Sequence, residues 1–323
     1  MKINQLSIKL LVFSCLFCLY TEGVVAQQES AMTLFMYNPW AVNPAAAGYR
    51  DLTSVVLYHR SQWLGFKGGP TFQTVSVNTP AFSSRRFGVA AGFTNRSAGL
   101  LAAQTGTLAL SYSVLKIKDF SFRMGLQGSF RRFTTHFNDA PDIAILQADR
   151  SIPPRRSTNY YPNIGFGALA TYDESYLGFS VPFYLPNTLG INAYTPVTAA
   201  ESPHFYLMGG LSFQVAEGIV LKPQGMFKYV KYAPWNFEAN LTSVFKDKIS
   251  VGLSYRAGRT NIVGIGESAS MTTLLQVNES MAIGGAYDWI FGSIGKFTYG
   301  SFEMLMRYDL KKKDIKMSNP RGF

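Results

Sequence analysis

Thr107-Leu108-Ala109-Leu110-Ser111-Tyr112-Ser113-Val114 breaks at the polar turn Lys116–Asp119. It is answered by a second run in which Phe122, Met124, Leu126 and Phe130 interleave with Arg123, Gly125, Gln127, Ser129 and Arg131. Successive side chains on a strand point to opposite faces, so each run is a strand with one apolar and one small or polar face. Strands of about nine to twelve residues, tilted, cross a bilayer. Similar runs recur, clearest at Ile249–Arg256 and Phe302–Asp309. The expected fold is all-β: a transmembrane antiparallel β-barrel of the outer membrane.

The turns support this. Short polar or glycine-containing breaks fall at Lys116–Asp119, Asp173-Glu174, Ala216–Gly218, Lys246–Lys248 and Asn278–Ser280. Between them lie longer connections at Ser61–Pro70, Asn95–Ala103, Thr135–Asn159, Tyr184–Ser202, Ala257–Ala269 and Asp288–Thr298, with less regular ones at Pro80–Arg85 and Tyr232–Pro234. Outer-membrane barrels have short periplasmic turns and longer external loops, so the alternation assigns a side to each loop. The segments number about fourteen, from Ser54–Arg60 to Ser301–Leu310. An even count puts both termini in the periplasm. A soluble β-sandwich also shows alternation, but it needs a dense core from both sheets, and here the second face carries Gly, Ser, Thr and charges.

The chain begins as a secretory signal: Lys2 and Lys9, the apolar run Leu10–Tyr20, then Val24-Val25-Ala26 ahead of Gln27. The expected divisions are a signal peptide at 1–26, a periplasmic pre-barrel segment at 27–53, the barrel at 54–310 and a basic periplasmic tail at 311–323. Both cysteines, Cys15 and Cys18, fall within the signal, so the mature chain has neither disulfides nor thiol chemistry. Bulky Phe13 ahead of Cys15 argues against lipoprotein acylation. Without the signal, 28 basic and 18 acidic residues remain, a formal charge of +10. The excess is spread over loops and tail rather than gathered on one helix, so no nucleic-acid partner is expected.

A charge facing lipid at mid-depth costs about 2–4 kcal/mol, so Arg123, Arg131, Lys228, Glu238, Arg256, Glu303 and Arg307 are expected to face the lumen. Their mixed signs carry no selectivity signature and suit charge pairs bracing the wall. Catalytic and metal signatures are missing. His59, His136 and His204 have no metal-ligand spacing, and no nucleophile motif surrounds a serine near His59, Ser61 and Asp51. Gly264-Ile265-Gly266 does not match a phosphate loop, and Asp139, Asp142 and Asp149 lack calcium-loop spacing. No catalytic residue, cofactor or metal is expected.

The segment after the signal is more specific. It reads Leu34-Phe35-Met36-Tyr37-Asn38-Pro39, then Val42-Asn43-Pro44-Ala45-Ala46-Ala47-Gly48, then Arg60-Ser61-Gln62-Trp63-Leu64-Gly65-Phe66-Lys67-Gly68-Gly69-Pro70, and the chain ends Pro320-Arg321-Gly322-Phe323. This order resembles the PorP/SprF family of type IX secretion system outer-membrane proteins of Bacteroidetes, with Gly322 where the family pattern has an aromatic. The resemblance implies a role in exporting or anchoring large surface adhesins, in gliding species among others, through their C-terminal sorting domains. It also implies links to a periplasmic lipoprotein and the ring components of the machine.

Physically, Asn43, Pro44 and Gly48 are turn-formers that fold the pre-barrel segment back, either into the lumen as a plug or as a cap on the barrel floor. Trp63, Leu64, Phe66 and Pro70 fall in the first external loop, as a partner surface, part of the aromatic girdle or an inward fold. The tail residues Lys311, Lys312, Lys313, Lys316, Arg321 and Phe323 form a basic periplasmic strip, either docking an acidic partner or solvated. The expected function is a non-enzymatic secretion component that binds a surface protein's C-terminal domain. The alternatives are a diffusion pore or uptake channel for a small hydrophobic or anionic solute, and an outer-membrane enzyme. The remaining partner is outer-membrane lipid.

Overall fold

Alternation of this kind builds seventeen strands among the described residues. The structure is a computed structural model and describes residues 32–50, 52–81, 86–135, 157–190, 198–231, 235–258, 267–291 and 293–310. In chain order the strands are β1 (Thr53–Ser61), β2 (Thr71–Ala81), β3 (Phe87–Ala98), β4 (Leu101–Ile117), β5 (Phe120–Thr135), β6 (Ser157–Tyr172), β7 (Ser175–Val181), β8 (Asn187–Gly190), β9 (Thr198–Glu201), β10 (His204–Gly210), β11 (Phe213–Ala216), β12 (Ile219–Val230), β13 (Asn236–Phe245), β14 (Ile249–Gly258), β15 (Ser268–Gln276), β16 (Met281–Ile290) and β17 (Ser301–Leu310).

Sequential strands pair antiparallel, and β1 closes on β17 with Thr53 opposite Leu310 and Ser61 opposite Phe302. β10 and β11 both pair with β12 and form one wall strand, interrupted at Leu211-Ser212 and bulged near Ala216. The result is a closed barrel of fourteen wall strands. β8 and β9 form a separate hairpin within the connection from β7 to β10.

The outer face is apolar. On β4 and β5, Leu108, Leu110, Val114, Met124, Leu126 and Phe130 are exposed, while Ala109, Ser111, Ser113, Arg123 and Gln127 are buried on the inside. One loop expectation is corrected. Asn95–Ala103 is not a long connection: β3 runs to Ala98, β4 starts at Leu101, and Asn95 pairs with Gln104 and Arg96 with Ala103 across a tight Gly99-Leu100 turn. The strands extend past the apolar band there, and where both faces are polar, alternation loses its contrast.

β1 begins and β17 ends at the barrel end that carries the short turns Lys118-Asp119, Asp173-Glu174 and Glu217-Gly218. The connections after β1, β5, β7, β14 and β16 lie at the opposite, long-loop end. Several sequence expectations lie outside the described residues: the signal, Asp51, His136, Asp139, Asp142, Asp149, Gly264–Gly266, the connections at 82–85 and 232–234, and the tail with Lys311, Lys312, Lys313, Lys316, Arg321 and Phe323.

Leu126 stands midway along β5 on the outer face, opposite Leu110 and Phe166. Leu126→Arg is expected to lower the unfolding free energy in lipid vesicles by about 2–4 kcal/mol, and Ile117→Arg, at the end of β4, by about 1 kcal/mol or less. Urea titration followed by tryptophan fluorescence checks both.

Candidate functional site

The pre-barrel segment lies inside the barrel. Residues 32–50 fold as three short 3-10 turns at Phe35–Tyr37, Pro39–Ala41 and Pro44–Ala46. Pro39 and Pro44 open the second and third turns, where a fixed φ and a missing N–H cost nothing. Leu34, Phe35, Met36, Trp40 and Ala45–Ala47 are buried and form the main apolar cluster with wall residues such as Val56, Tyr58, Tyr206 and Leu305. Full burial of a large apolar side chain contributes ~1.5–3 kcal/mol, so the plug is part of the folded core.

Wall side chains satisfy the plug's backbone along its length. Asn43 accepts from Ala45 N at 2.9 Å and donates to the carbonyls of Ala168 (3.0 Å) and Phe179 (3.4 Å), fastening the turn to β6 and β7. Ser180 Oγ donates to Val42 O at 2.6 Å and Ser111 Oγ to Ala47 O at 2.5 Å. Arg123 donates to Ala45 O, Ala47 O and Ser111 Oγ. Gly48 donates its N–H to Asn78 Oδ1. Gly48 has φ +59°, and a Cβ there would lie 2.4 Å from Gly88 Cα, so glycine on both plug and wall allows this approach.

At the long-loop end the plug meets a buried charge cluster across the closing seam. Arg60 and Glu303, register partners on β1 and β17, form an ion pair, and Arg60 also pairs with Asp288 at 2.7 Å. Arg256 pairs with its register partner Glu238 at 2.9 Å and approaches Asp288 at 3.7 Å. The Glu303 carboxylate accepts the backbone N–H groups of Thr33 (2.8 Å) and Leu34 (3.0 Å), and Thr33 Oγ1 donates to Asp288 and accepts from Arg256. At the short-turn end Asp309 takes Arg50 at 3.1 Å, Arg307 at 3.2 Å and the Ser54 hydroxyl at 2.8 Å. The plug thus threads the lumen from its long-loop end at Thr33 to its short-turn end at Arg50.

Of the lumen residues read from the sequence, the structure gathers Glu238, Arg256 and Glu303 in the upper cluster and places Arg307 in the lower one and Arg123 under the plug. Arg131 and Lys228 stand apart: the Arg131 guanidinium lies 4.8 Å from the Phe183 ring and Lys228 Nζ 6.0 Å from that of Tyr206. Sequence reasoning missed Thr33, Arg50, Asp288 and Asp309, and used Arg60 only within a motif. Asp288 shares parity with inward Ala282 and Ala286, one residue past the run as read, and Arg60 with Ser54, Val56 and Tyr58 inside its run, a signal that parity alone would have caught. Thr33 and Arg50 lie in a segment without strand periodicity.

The loop with Trp63, Leu64, Phe66 and Pro70 is braced at the long-loop end. Leu64 exchanges backbone hydrogen bonds with Gly300 and Tyr299, both 2.8 Å, Gly99 donates to Gly68 O, and Trp63 meets Phe66 edge to face. Trp63, Leu64 and Pro70 are half-buried, while Phe66 is exposed, as are Phe297 and Tyr299. His59 and Ser61 share a 3.0 Å hydrogen bond on the outer face of β1, and buried His204 bonds to Ser202 O and stacks on Tyr206. Among the described residues no His, Asp and Glu cluster is arranged to hold a metal ion.

Removing one partner of a buried ion pair costs about 3–5 kcal/mol. Glu303→Ala also strands two plug N–H groups, so it is expected to lower the urea midpoint accordingly and to open residues 32–36 to protease in the folded barrel. Limited proteolysis with mass spectrometry reads the second effect.

Residues 24–308 match the family described as type IX secretion system membrane protein PorP/SprF. No curated protein matches the chain in sequence. Among solved structures it is similar to the CymD monoaromatic hydrocarbon channel, 9% identical over 88% of this chain and 95% of that one, with a TM-score of 0.51. A Pseudomonas aeruginosa FadL homologue, 12% identical over 90% and 96% with a TM-score of 0.46, and the P. putida toluene transporter TodX, 9% identical over 88% and 95% with a TM-score of 0.47, are similar too. Identities this low speak to fold alone, and the family rests on the match that spans nearly the whole chain: the protein belongs to the PorP/SprF family of type IX secretion system membrane proteins.

Proposed function

We propose that this protein is a non-enzymatic anchor in the outer membrane that assists secretion or surface attachment of a large adhesin-like protein by binding its C-terminal sorting domain. The observation that carries this reading is a lumen closed by the chain's own segment beneath a braced aromatic loop surface at the long-loop end. A plug held by ion pairs, backbone hydrogen bonds and apolar burial suits a scaffold better than a conduit. Exposed aromatics on a fixed backbone are what interface anchors need, because little side-chain or loop entropy is lost on binding.

In this reading the long loops face the cell surface, the short turns and both termini face the periplasm, and the signal is cleaved after Ala26. The tail Lys311, Lys312, Lys313, Arg321 and Phe323 is then placed to meet a periplasmic lipoprotein or ring component of the machine. The pore alternative is weighed down by the plug: planar-bilayer recordings of purified protein are expected to be nearly silent.

A tagged copy extracted gently from its own outer membrane is expected to co-purify a large secreted protein whose C-terminal domain is intact. Phe66→Ala is expected to weaken that capture at least ten-fold, about 1.4 kcal/mol, with barrel assembly unchanged. If deletion of this protein leaves every surface protein in place, the reading fails.

A further inference from the structure

The glycines of the wall divide by face. Gly88, Gly125 and Gly167 look inward, and a Cβ on any of them would run into the plug at Ala47, Ala45 or Asn43. Gly106 on β4 and Gly128 on β5 look outward, in line with exposed Leu108 and Phe130, and a Cβ on either would meet nothing within 4 Å. Inside, glycine makes room that the chain itself fills; outside, it makes room that the chain leaves open. The two gaps merge beside Ala91 into a hollow of about 690 Å³ on the outer face, walled by Val75, Val77, Phe93, Leu108 and Phe130 and lined by no charged side chain among the described residues. That volume falls within the range of small-molecule sites, roughly 300–1,000 Å³.

The strand register sets the depth of this hollow. One cross-strand row on the long-loop side joins His59, Gln73, Asn95, Gln104, Arg132 and Tyr160 on the outer face. The neighbouring row toward the short turns is Leu57, Val75, Phe93, Gly106, Phe130 and Pro162. A polar row bordering an apolar one marks where hydrocarbon gives way to headgroups, because a cation costs about 2–4 kcal/mol at mid-depth and about 0–1 kcal/mol near the interface. Arg132 therefore stands at headgroup level, two residues and about 7 Å beyond Phe130 along β5. Tyr160, its neighbour in the row, stacks on Phe130 with 5.6 Å between centroids and joins the wall of the hollow to the polar row.

Arg132 has little to hold it within the chain. Among the described residues its guanidinium makes one hydrogen bond, from Nη1 to Gln104 Oε1 at 3.5 Å; its shielded Nε has no acceptor and no carboxylate pairs with it. A cation left unmatched at the head of an apolar hollow that opens to the bilayer suits an occupant with both an acyl chain and an anionic group. The planar fork of a guanidinium matches phosphate oxygens in particular.

We propose that the outer face of β2 to β5 binds one phosphate-bearing lipid of the leaflet on the long-loop side, an acyl chain lying over Gly106 and Gly128 and the phosphate on Arg132. The inference is independent of the anchoring role, because it uses neither the plug nor the loop that carries Phe66.

The test is native mass spectrometry of the full-length purified barrel in nonionic detergent, titrated with dioleoyl phosphatidic acid. Dioleoylglycerol, which keeps the chains and lacks the phosphate, and inorganic phosphate, which lacks the chains, are titrated beside it. One retained phosphatidic acid is expected, at least ten-fold tighter than dioleoylglycerol, with no adduct of inorganic phosphate. Arg132→Gln is expected to weaken phosphatidic acid at least ten-fold and dioleoylglycerol less than two-fold. Gly128→Leu fills the hollow and is expected to weaken both lipids at least five-fold, an independent reading should Arg132→Gln fail to show heat-modifiable migration. Gly225→Leu, on the outer face of β12, is expected to leave both unchanged. Equal affinity for the two lipids, inorganic phosphate bound as tightly as the lipid, full phosphatidic acid affinity in folded Arg132→Gln or Gly128→Leu, or an equal loss in Gly225→Leu would each overturn the proposal.

Discussion

Glu303 is the residue on which the interior is organised. Its carboxylate pairs with Arg60 across the strand seam that closes the barrel and accepts two backbone N–H groups from the plug. A buried carboxylate is tolerable only when its lone pairs are taken up, and here the wall supplies the cation and the plug supplies dipolar donors. With Arg60 and Arg256 set against Glu238, Asp288 and Glu303, the cluster has one more acidic than basic side chain. The plug's N–H and hydroxyl groups therefore complete a site that the wall leaves incomplete, and the closing seam and the plug share one buried cluster.

The remaining inner wall is shaped by the same segment. Gly88 gives the plug backbone room, Ser111, Asn78, Ser180 and Arg123 meet its carbonyls and N–H groups, and Asp309 fixes its lower end through Arg50. What the plug does not fill is as informative as what it does. Beside Trp40 the plug leaves a cavity bordered by Phe72, Arg96, Arg131 and Phe183, while at the seam it completes the charge cluster. The braced loop at the long-loop end, tied to Tyr299 and Gly300 through Leu64, is a separate feature.

How much of this could be read from the chain depends on distance along it. The alternation at Leu108–Val114 and Phe122–Arg131 gave the strands, their lipid face and a wall of about fourteen members, because side-chain parity is local. The same parity put Glu238, Arg256 and Glu303 on the inner face. It failed at Asn95–Ala103, where strands outrun the apolar band, and at Asp288, taken for loop because a charged residue ended an apolar run. The motif Asn43-Pro44-Ala45 announced a turn, yet whether that turn capped the floor or entered the lumen was open in the sequence.

The sequence by itself determined the barrel, the strand parity and, through the order of its motifs, the family resemblance. Only the tertiary structure decided that residues 32–50 thread the lumen, that Thr33 meets Glu303 across 270 positions of sequence, and that Arg96 and Arg131 share a cavity with Trp40. The reason is physical. Strand pattern follows from lipid on one face and a shielded interior on the other, which each residue meets independently of distant ones. A plug's path depends on which donors and acceptors remain unmet after fourteen strands have closed, and that is a property of the assembled ring.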